Sequence, residues 1–267
     1  MHPIEHLRYV ARSHGADPVE IALEAADALG AVARDTSATL VAARRLVEHH
    51  PVNAQLWSVC AHAVTAMDPY SAISDAARAI GSDPTATHLA DALEAASSVC
   101  TVGWSGHIVD ALTRAGEVHA LVVDSLGDGQ DSLRVLSRRN VPCELVAPEG
   151  IAAAAEHADA TVIPAFALGD SGALCPGGAL AIASVAYCAS RPVWLEAPAA
   201  SRLPNALFEA MVADVRGRPD PWASGYDVVP VGLVSEVFGP LGRTPSNAID
   251  RIGTCPHAPE LLRRSVV

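Results

Sequence analysis

A change of sequence pattern near Ser97 most constrains what this chain can fold into. From His6 to about Leu93, apolar residues recur with the period of an α-helix, interrupted by proline, glycine and capping residues. Asp17 followed by Pro18 is one such helix start. After Ser97, short apolar runs of strand length alternate with helical segments. This alternation indicates a parallel sheet with helices on both faces.

The sequence therefore predicts an α/β fold with two domains. The first is a helical N-terminal domain over residues 1–93, and the second is a Rossmann-like α/β domain over residues 94–267. Five strands are predicted near residues 98–102, 118–123, 141–146, 160–164 and 192–196. Further along, Tyr226 to Pro230 is predicted to be extended, and Gly232 to Phe238 is predicted to form a short helix.

Composition and charge exclude several classes of function. The 267-residue chain has a net charge of −12, which argues against nucleic acid as a partner because that binding needs clustered positive charge. Its 18 positively charged side chains are all arginine. Without lysine, Schiff-base catalysis and a Walker-type phosphate site are impossible. Any phosphate must bind to arginine, to backbone N–H groups or to a helix N-terminus.

The sequence shows no sign of a membrane, metal or cofactor site. No apolar run approaches the roughly 20 residues of a membrane span, and Met1 to Arg8 lacks the apolar region of a signal peptide. The six cysteines form no CxxC pair, and no group of cysteine and histidine has the density of a zinc site. We expect a cytoplasmic protein with buried, reduced thiols, no cofactor and no metal.

A glycine-rich stretch between residues 159 and 198 is the predicted centre of the site. Residues 160–164 and 192–196 are predicted strands with a helix between them, and residues 169–178 form a loop before that helix. This loop follows the carboxyl end of a strand, which is where open parallel sheets bind their ligands.

Seven residues are predicted to bind a ligand at this edge of the sheet. They are Gly103, Ser105, Gly106, Asp124, Ser125, Asp170 and Ser171. The first three precede a helix and can offer N–H groups to an anion, but an ordinary turn would use the same residues. The next two end the second strand, where a carboxylate can hold ribose hydroxyls or cap a helix. The last two lie in the glycine-rich loop.

Several short sequence words resemble those of a known family. Asp170-Ser171-Gly172 and the residues from Cys175 to Ala179 are similar to its "N-G-D/G-x-x-N-K-I-G-T" stretch. Residues 226–234 and 241–245 are similar to its "F-D-x-x-P-x-x-L-I … L-G-x-x-x-P" ending, and residues 51–57 to its "P-T/S-x-x-P-L-x-N" word. The chain thus resembles the family of the alpha, beta and delta regulatory subunits of eukaryotic initiation factor two B. That family includes isomerases of methylthioribose 1-phosphate and ribose 1,5-bisphosphate.

The chain departs from this family at the positions that carry catalysis. Gly106 matches the glycine of the isomerases' "C-N-x-G-x-L-A" word, which puts Gly103 where their nucleophilic cysteine stands. Their acid/base aspartate is the third position of "N-G-D", which is Gly172 here, as in the regulatory subunits. A two-residue gap would instead set residues 168–170 on that word and restore an aspartate, Asp170. The lysine of "N-K" is Pro176.

Two functions follow from this resemblance. The departures favour a non-catalytic protein of the initiation factor two B type, which binds a phosphorylated sugar or nucleotide and acts in regulation or assembly. The alternative is an aldose-phosphate isomerase with displaced residues, Asp170 as acid/base and Cys175 or Cys100 as its partner. The resemblance also implies a homodimer through the C-terminal half. The apolar segment from Val228 to Phe238 is predicted to lie in that interface.

Overall fold

A computed structural model describes residues 17–217 and 219–262 of the chain. Their contacts form two compact units. The first comprises residues 17–83, 199–214 and 253–262, and the second comprises residues 84–198, 215–217 and 219–252. The predicted helical pattern of residues 6–16 lies outside the described residues.

Four capped helices open the first unit. They are α1 (Pro18–Gly30), α2 (Thr36–His49), α3 (Ala54–Thr65) and α4 (Pro69–Gly81). Their N-caps are Asp17, Asp35, Asn53 and Asp68, whose side-chain oxygens each accept one backbone N–H over 2.8–3.2 Å. Such a cap is worth about 1 kcal/mol, because it pairs an N–H that has no partner within the helix. The predicted start at Asp17 and Pro18 is confirmed.

Five helices of the second unit come next in the chain. They are α5 (Thr85–Leu93), α6 (Gly106–Ala115), α7 (Asp128–Arg138), α8 (Ile151–His157) and α9 (Ala179–Cys188). Helix α10 (Asn205–Arg216) then returns the chain to the first unit over most of its length. The units divide between residues 83 and 84 rather than after residue 93, because Leu89 and Leu93 of α5 share an apolar core with α6.

A seven-stranded sheet forms the centre of the second unit. Its strands are β1 (Ser98–Val102), β2 (His119–Val123), β3 (Cys143–Val146), β4 (Ala160–Pro164), β7 (Val193–Glu196), β9 (Glu236–Gly239) and β10 (Gly242–Pro245). The order is β10-β9-β7-β4-β1-β2-β3, and every pair is parallel except β9 with β10. The α/β fold class and all five predicted strands are confirmed.

Alternation along the strands builds a core on each face of this sheet. Cys100 and Val102 of β1 pack in the core that includes α8 and α9. Val99 of the same strand packs in the other core, with α5, α6 and α7. Neighbouring residues of a strand point to opposite faces, which is why a short apolar run can serve both cores.

Two local predictions are wrong. The loop predicted over residues 169–178 contains strand, because β5 (Ala167–Leu168) and β6 (Gly172–Pro176) form a small antiparallel sheet with β8 (Tyr226–Pro230). The helix predicted from Gly232 to Phe238 is a 3₁₀ turn followed by β9. In both cases a glycine-containing segment pairs with strands that are distant in the chain. The local periodicity of the sequence cannot reveal such pairing. The extended segment from Tyr226 to Pro230 is confirmed as β8.

The apolar segment predicted to form the dimer interface is largely internal. Val229, Val234, Val237 and Phe238 are all buried within the chain. The segment is therefore hydrophobic because it packs in the core of the second unit. Its hydrophobicity does not indicate a dimer interface. No helix among the described residues is long and apolar enough to cross a membrane.

Asp159 joins the starts of β1 and β4, and we expect it to make stability depend on pH. Its Oδ2 accepts the N–H groups of Ser97 and Ser98 over 2.8 and 3.0 Å, and these bonds lower its pKa. A carboxyl whose pKa is lower in the folded state stabilises the fold above its unfolded pKa, and this contribution is lost as pH falls through the folded value. Asp159→Asn should therefore lower the urea midpoint at neutral pH, and the difference from wild type should shrink in acid. Asp91→Asn, an exposed carboxyl on α5, is the control; a difference that grows in acid would contradict the prediction.

Candidate functional site

Gly103 lies at the carboxyl end of β1, and Pro176 fills the space in front of it. The backbone of Gly103 is left-handed, with φ of 68°. A Cβ atom built on it would lie 3.1 Å from Cβ and 3.2 Å from Cγ of Pro176, and 3.7 Å from Cβ of Ser125. A cysteine at this position would be strained by its φ and crowded by the proline ring. Two of the departures from the isomerase pattern, Gly103 and Pro176, are therefore neighbours in space.

Ser105 and His107 at the start of α6 both face Glu196 at the end of β7. Ser105 Oγ donates to Glu196 Oε2 over 3.1 Å and also accepts the N–H of Ile108 as the N-cap of α6. His107 Nδ1 lies 3.3 Å from Glu196 Oε1, an ion pair when the imidazole is protonated. Glu196 is 2% exposed, and its Oε1 accepts no hydrogen bond from the described residues. Gly106 is the first residue of the helix and carries no side chain into this group.

Asp124 caps α7. Its two carboxylate oxygens accept the N–H groups of Gly127, Gly129 and Gln130 over 3.0–3.3 Å. Of the two roles considered for Asp124, ribose binding and helix capping, the structure shows the cap. Ser125 is buried next to Gly103, and its backbone O accepts the N–H of Asp128 at the start of α7 over 3.0 Å.

Asp227 of β8 caps α9 in the same way. Its Oδ2 accepts the N–H of Gly178 over 2.8 Å and that of Leu180 over 3.0 Å. Backbone N–H groups at a helix start are the usual donors to a phosphate. Since the chain has no lysine, a phosphate would need arginine or backbone N–H groups such as these, and here an internal carboxylate already binds them.

Asp170 and Ser171 lie at a different place from the other predicted site residues. They form the exposed turn between β5 and β6, closed by a hydrogen bond from Gly169 N to Gly172 O over 2.9 Å. Strand β6 separates this turn from Pro176, by about 13 Å at the usual rise per residue. Five of the seven predicted residues thus lie at the ends of β1 and β2, whereas these two lie at the far end of β6.

The cysteines proposed for a displaced catalytic pair are internal. Cys100 and Cys175 have no exposed surface and belong to the same apolar core. Burial raises the pKa of Cys100 to about 12. Burial, together with the charges of Asp227 and Glu196, raises the pKa of Cys175 well above its usual range. Because the thiolate is the nucleophile, both groups are chemically inert in this fold.

Comparison with solved structures identifies the fold. The translation initiation factor eIF-2B of Pyrococcus horikoshii matches with a TM-score of 0.73 and 14% identity, over 91% of this chain and 96% of that chain. The chain has the fold of an eIF2B subunit. The eIF2B beta subunit of Chaetomium thermophilum matches with a TM-score of 0.66 and 16% identity, over 99% and 93% of the two chains. A chain of the tetrameric eIF2B beta₂delta₂ complex from that organism gives 0.72 and 16%, over 92% and 91%.

The eIF2B likeness predicted from the sequence words is confirmed at the level of fold. The sequence matches no family model and no curated protein. At 14–16% identity the neighbours fix the architecture, and the function has to be argued from the residues of this chain.

Glu196 is the main site residue that sequence reasoning missed. The sequence did contain an indication of this residue. Glu196 ends the apolar run of a predicted strand, in the sequence Trp194-Leu195-Glu196-Ala197-Pro198. A charged side chain is seldom fully buried without partners, so that position called for partners elsewhere in the chain.

Proposed function

We propose that this protein is a non-catalytic, eIF2B-like protein of the cytoplasm that acts by assembling with other proteins. The observation that carries the proposal is the contact between Gly103 and Pro176. At the position that matches the isomerases' nucleophile there is no thiol, and a cysteine there would need a left-handed backbone and a shift of the Pro176 ring. The six unpaired cysteines agree with a reducing compartment.

The carboxylates around the site argue for assembly over phosphate sensing. Asp124 and Asp227 take the N–H groups at the starts of α7 and α9, and Glu196 lies buried behind α6. A sugar phosphate or nucleotide would have to displace a carboxylate at the start of α7 or α9, and at the start of α6 it would meet the charge of Glu196. We therefore propose assembly as the main function, and binding of the predicted phosphorylated ligand only as a secondary one.

Assembly has a precedent among the structural neighbours, one of which comes from a tetrameric complex of two kinds of eIF2B subunit. We propose that this chain likewise pairs with a second chain, either another copy or a different protein. Its exposed apolar side chains, rather than the internal segment from Val228 to Phe238, would provide the contact.

Turnover measurements test the proposal directly. We expect purified protein to give no isomerisation of methylthioribose 1-phosphate or ribose 1,5-bisphosphate. A positioned acid or base contributes roughly 10²–10⁴-fold, and the buried, protonated thiols supply none. Asp170→Asn and Cys175→Ala should leave the background rate unchanged. Turnover in the wild type that either substitution abolishes would overturn the proposal and establish the displaced-residue isomerase instead.

A further inference from the structure

Three exposed apolar side chains belong to segments of the chain that meet at Gly225 in the second unit. Leu126 lies against it, because a Cβ atom built on Gly225 would be 2.6 Å from Leu126 Cδ1. Trp222 is three residues away in the chain, within about 11 Å even if fully extended. The O of Gly225 accepts the N–H of Gly177, three residues before Leu180. Leu126, Leu180 and Trp222 together form the Gly225 patch.

The exposure of this patch is unusual. Leu126 is 83% exposed and Trp222 is 86% exposed, and Leu180 is 38% exposed. Leu126 also has a left-handed backbone, with φ of 54°, a conformation that glycine and asparagine adopt far more readily than leucine. The turn thus holds a large apolar side chain outward at a position where a small polar residue would fold more easily. Neither exposure nor conformation is explained by the core of the chain.

The sequence around the patch is acidic. Residues 124–134 and 218–227 carry five aspartates and only two positively charged residues, Arg134 and Arg218. Asp128, two residues after Leu126, is exposed. Asp131 pairs with Arg134 over 2.6 Å, whereas partial burial and the charges of Asp131 and Asp124 raise the pKa of Asp128. Because Asp124 and Asp227 cap helices and Asp131 is paired, the exposed carboxylate of Asp128 beside Leu126 is the negative charge that this patch offers to a partner.

We propose that the Gly225 patch docks a segment of a partner protein in which apolar side chains are flanked by lysine or arginine. The apolar side chains would cover Leu126 and Trp222, and the positive charges would face Asp128 and its neighbours. A second copy of this chain fits less well, because each copy has a net charge of −12 and two copies would repel each other. The inference deepens the proposed assembly function by giving the chemistry of the partner.

A short labelled peptide of alternating leucine and lysine is the probe, titrated with the full-length protein by fluorescence anisotropy. We expect binding that weakens with salt. Trp222→Ser should weaken it by about tenfold or more, as for an aromatic anchor, and Asp128→Asn by about two- to fivefold. Leu241→Ser and Asp91→Asn are the matched controls, since Leu241 is 73% exposed in another turn. Both controls should bind like wild type.

Several results would overturn the docking proposal. One is a peptide affinity that none of the variants changes, or no binding at all. Another is equal affinity for a peptide with serine in place of leucine, which would show attraction by charge alone. A third is self-association of the protein that Trp222→Ser abolishes, which would make the occupant a second copy. Failure of the peptide to bind would leave the absence of isomerase activity standing, so the two proposals fail separately.

Discussion

Gly129→Ala should destabilise the protein by about 2–3 kcal/mol, although it adds one methyl group at the second position of α7. A Cβ atom there would lie 2.7 Å from Cα of Asp124 and 2.8 Å from the O of Val123. Both are backbone atoms at the end of β2, so the strand or the helix must move. That movement would also lengthen the bonds by which Asp124 caps the helix. The helix-forming tendency of alanine offsets only about 1 kcal/mol.

Two other glycines serve as controls for the Gly129 prediction. Gly232→Ala has nothing within 4 Å of the new methyl group and an ordinary φ, and its free energy of unfolding should equal that of wild type. Gly127→Ala also has open space but a φ of 101°, and strain alone should cost about 1 kcal/mol. Urea unfolding followed by circular dichroism measures all three. Equal stability of the Gly129 and Gly232 variants would show that helix and strand are not packed this closely.

The regular part of the fold could be predicted from the sequence because its signals are local. Period and caps predicted α1 to α4, and the apolar runs predicted β1 to β4 and β7. The small sheet of β5, β6 and β8 could not be predicted in the same way. Its central strand pairs Gly172 with Pro230 and Pro176 with Tyr226, partners about 50 residues apart in the chain. Glycine and proline, which usually indicate loops, pair there because the neighbouring strand fixes them.

The sequence predicted where the candidate site lies more accurately than which groups are open to a ligand there. Gly103, Ser105 and Asp124 do lie at the carboxyl ends of the strands. Whether a helix start is open to a ligand depends on which side chain reaches it, and Asp227 reaches α9 from 49 residues further along the chain. Glu196 likewise meets Ser105 only because β7 lies two strands from β1 in the sheet. Such pairings depend on the order of the strands in the sheet, and short sequence motifs do not give that order.

The carboxylate of Asp227 stands in for an anion at the start of α9, and this has a testable consequence. Asp227→Ala should lower the free energy of unfolding by about 2 kcal/mol, since it removes two charge-assisted hydrogen bonds from a helix start. For a chain of this size that is a fall in Tm of about 4–8 °C. The variant also frees the N–H groups of Gly178 and Leu180, which then form an anion site at the positive end of the helix.

Inorganic phosphate should therefore raise the Tm of Asp227→Ala more than that of wild type, which gains only the general stabilisation that a kosmotropic salt gives any folded protein. The recovery follows from mass action, because an anion that binds only the folded protein stabilises it in proportion to RT ln(1 + [L]/Kd). Melting curves of both proteins in phosphate and in chloride at equal ionic strength separate the two effects. Asp91→Ala, which removes an exposed carboxylate from α5, corrects for the change in net charge. Equal gains for wild type and variant would mean that phosphate does not act at the start of α9, and an unchanged Tm in Asp227→Ala would mean that the carboxylate does not hold the helix. A gain in Asp227→Ala beyond that of wild type would show that an internal carboxylate closes this anion site in the natural chain.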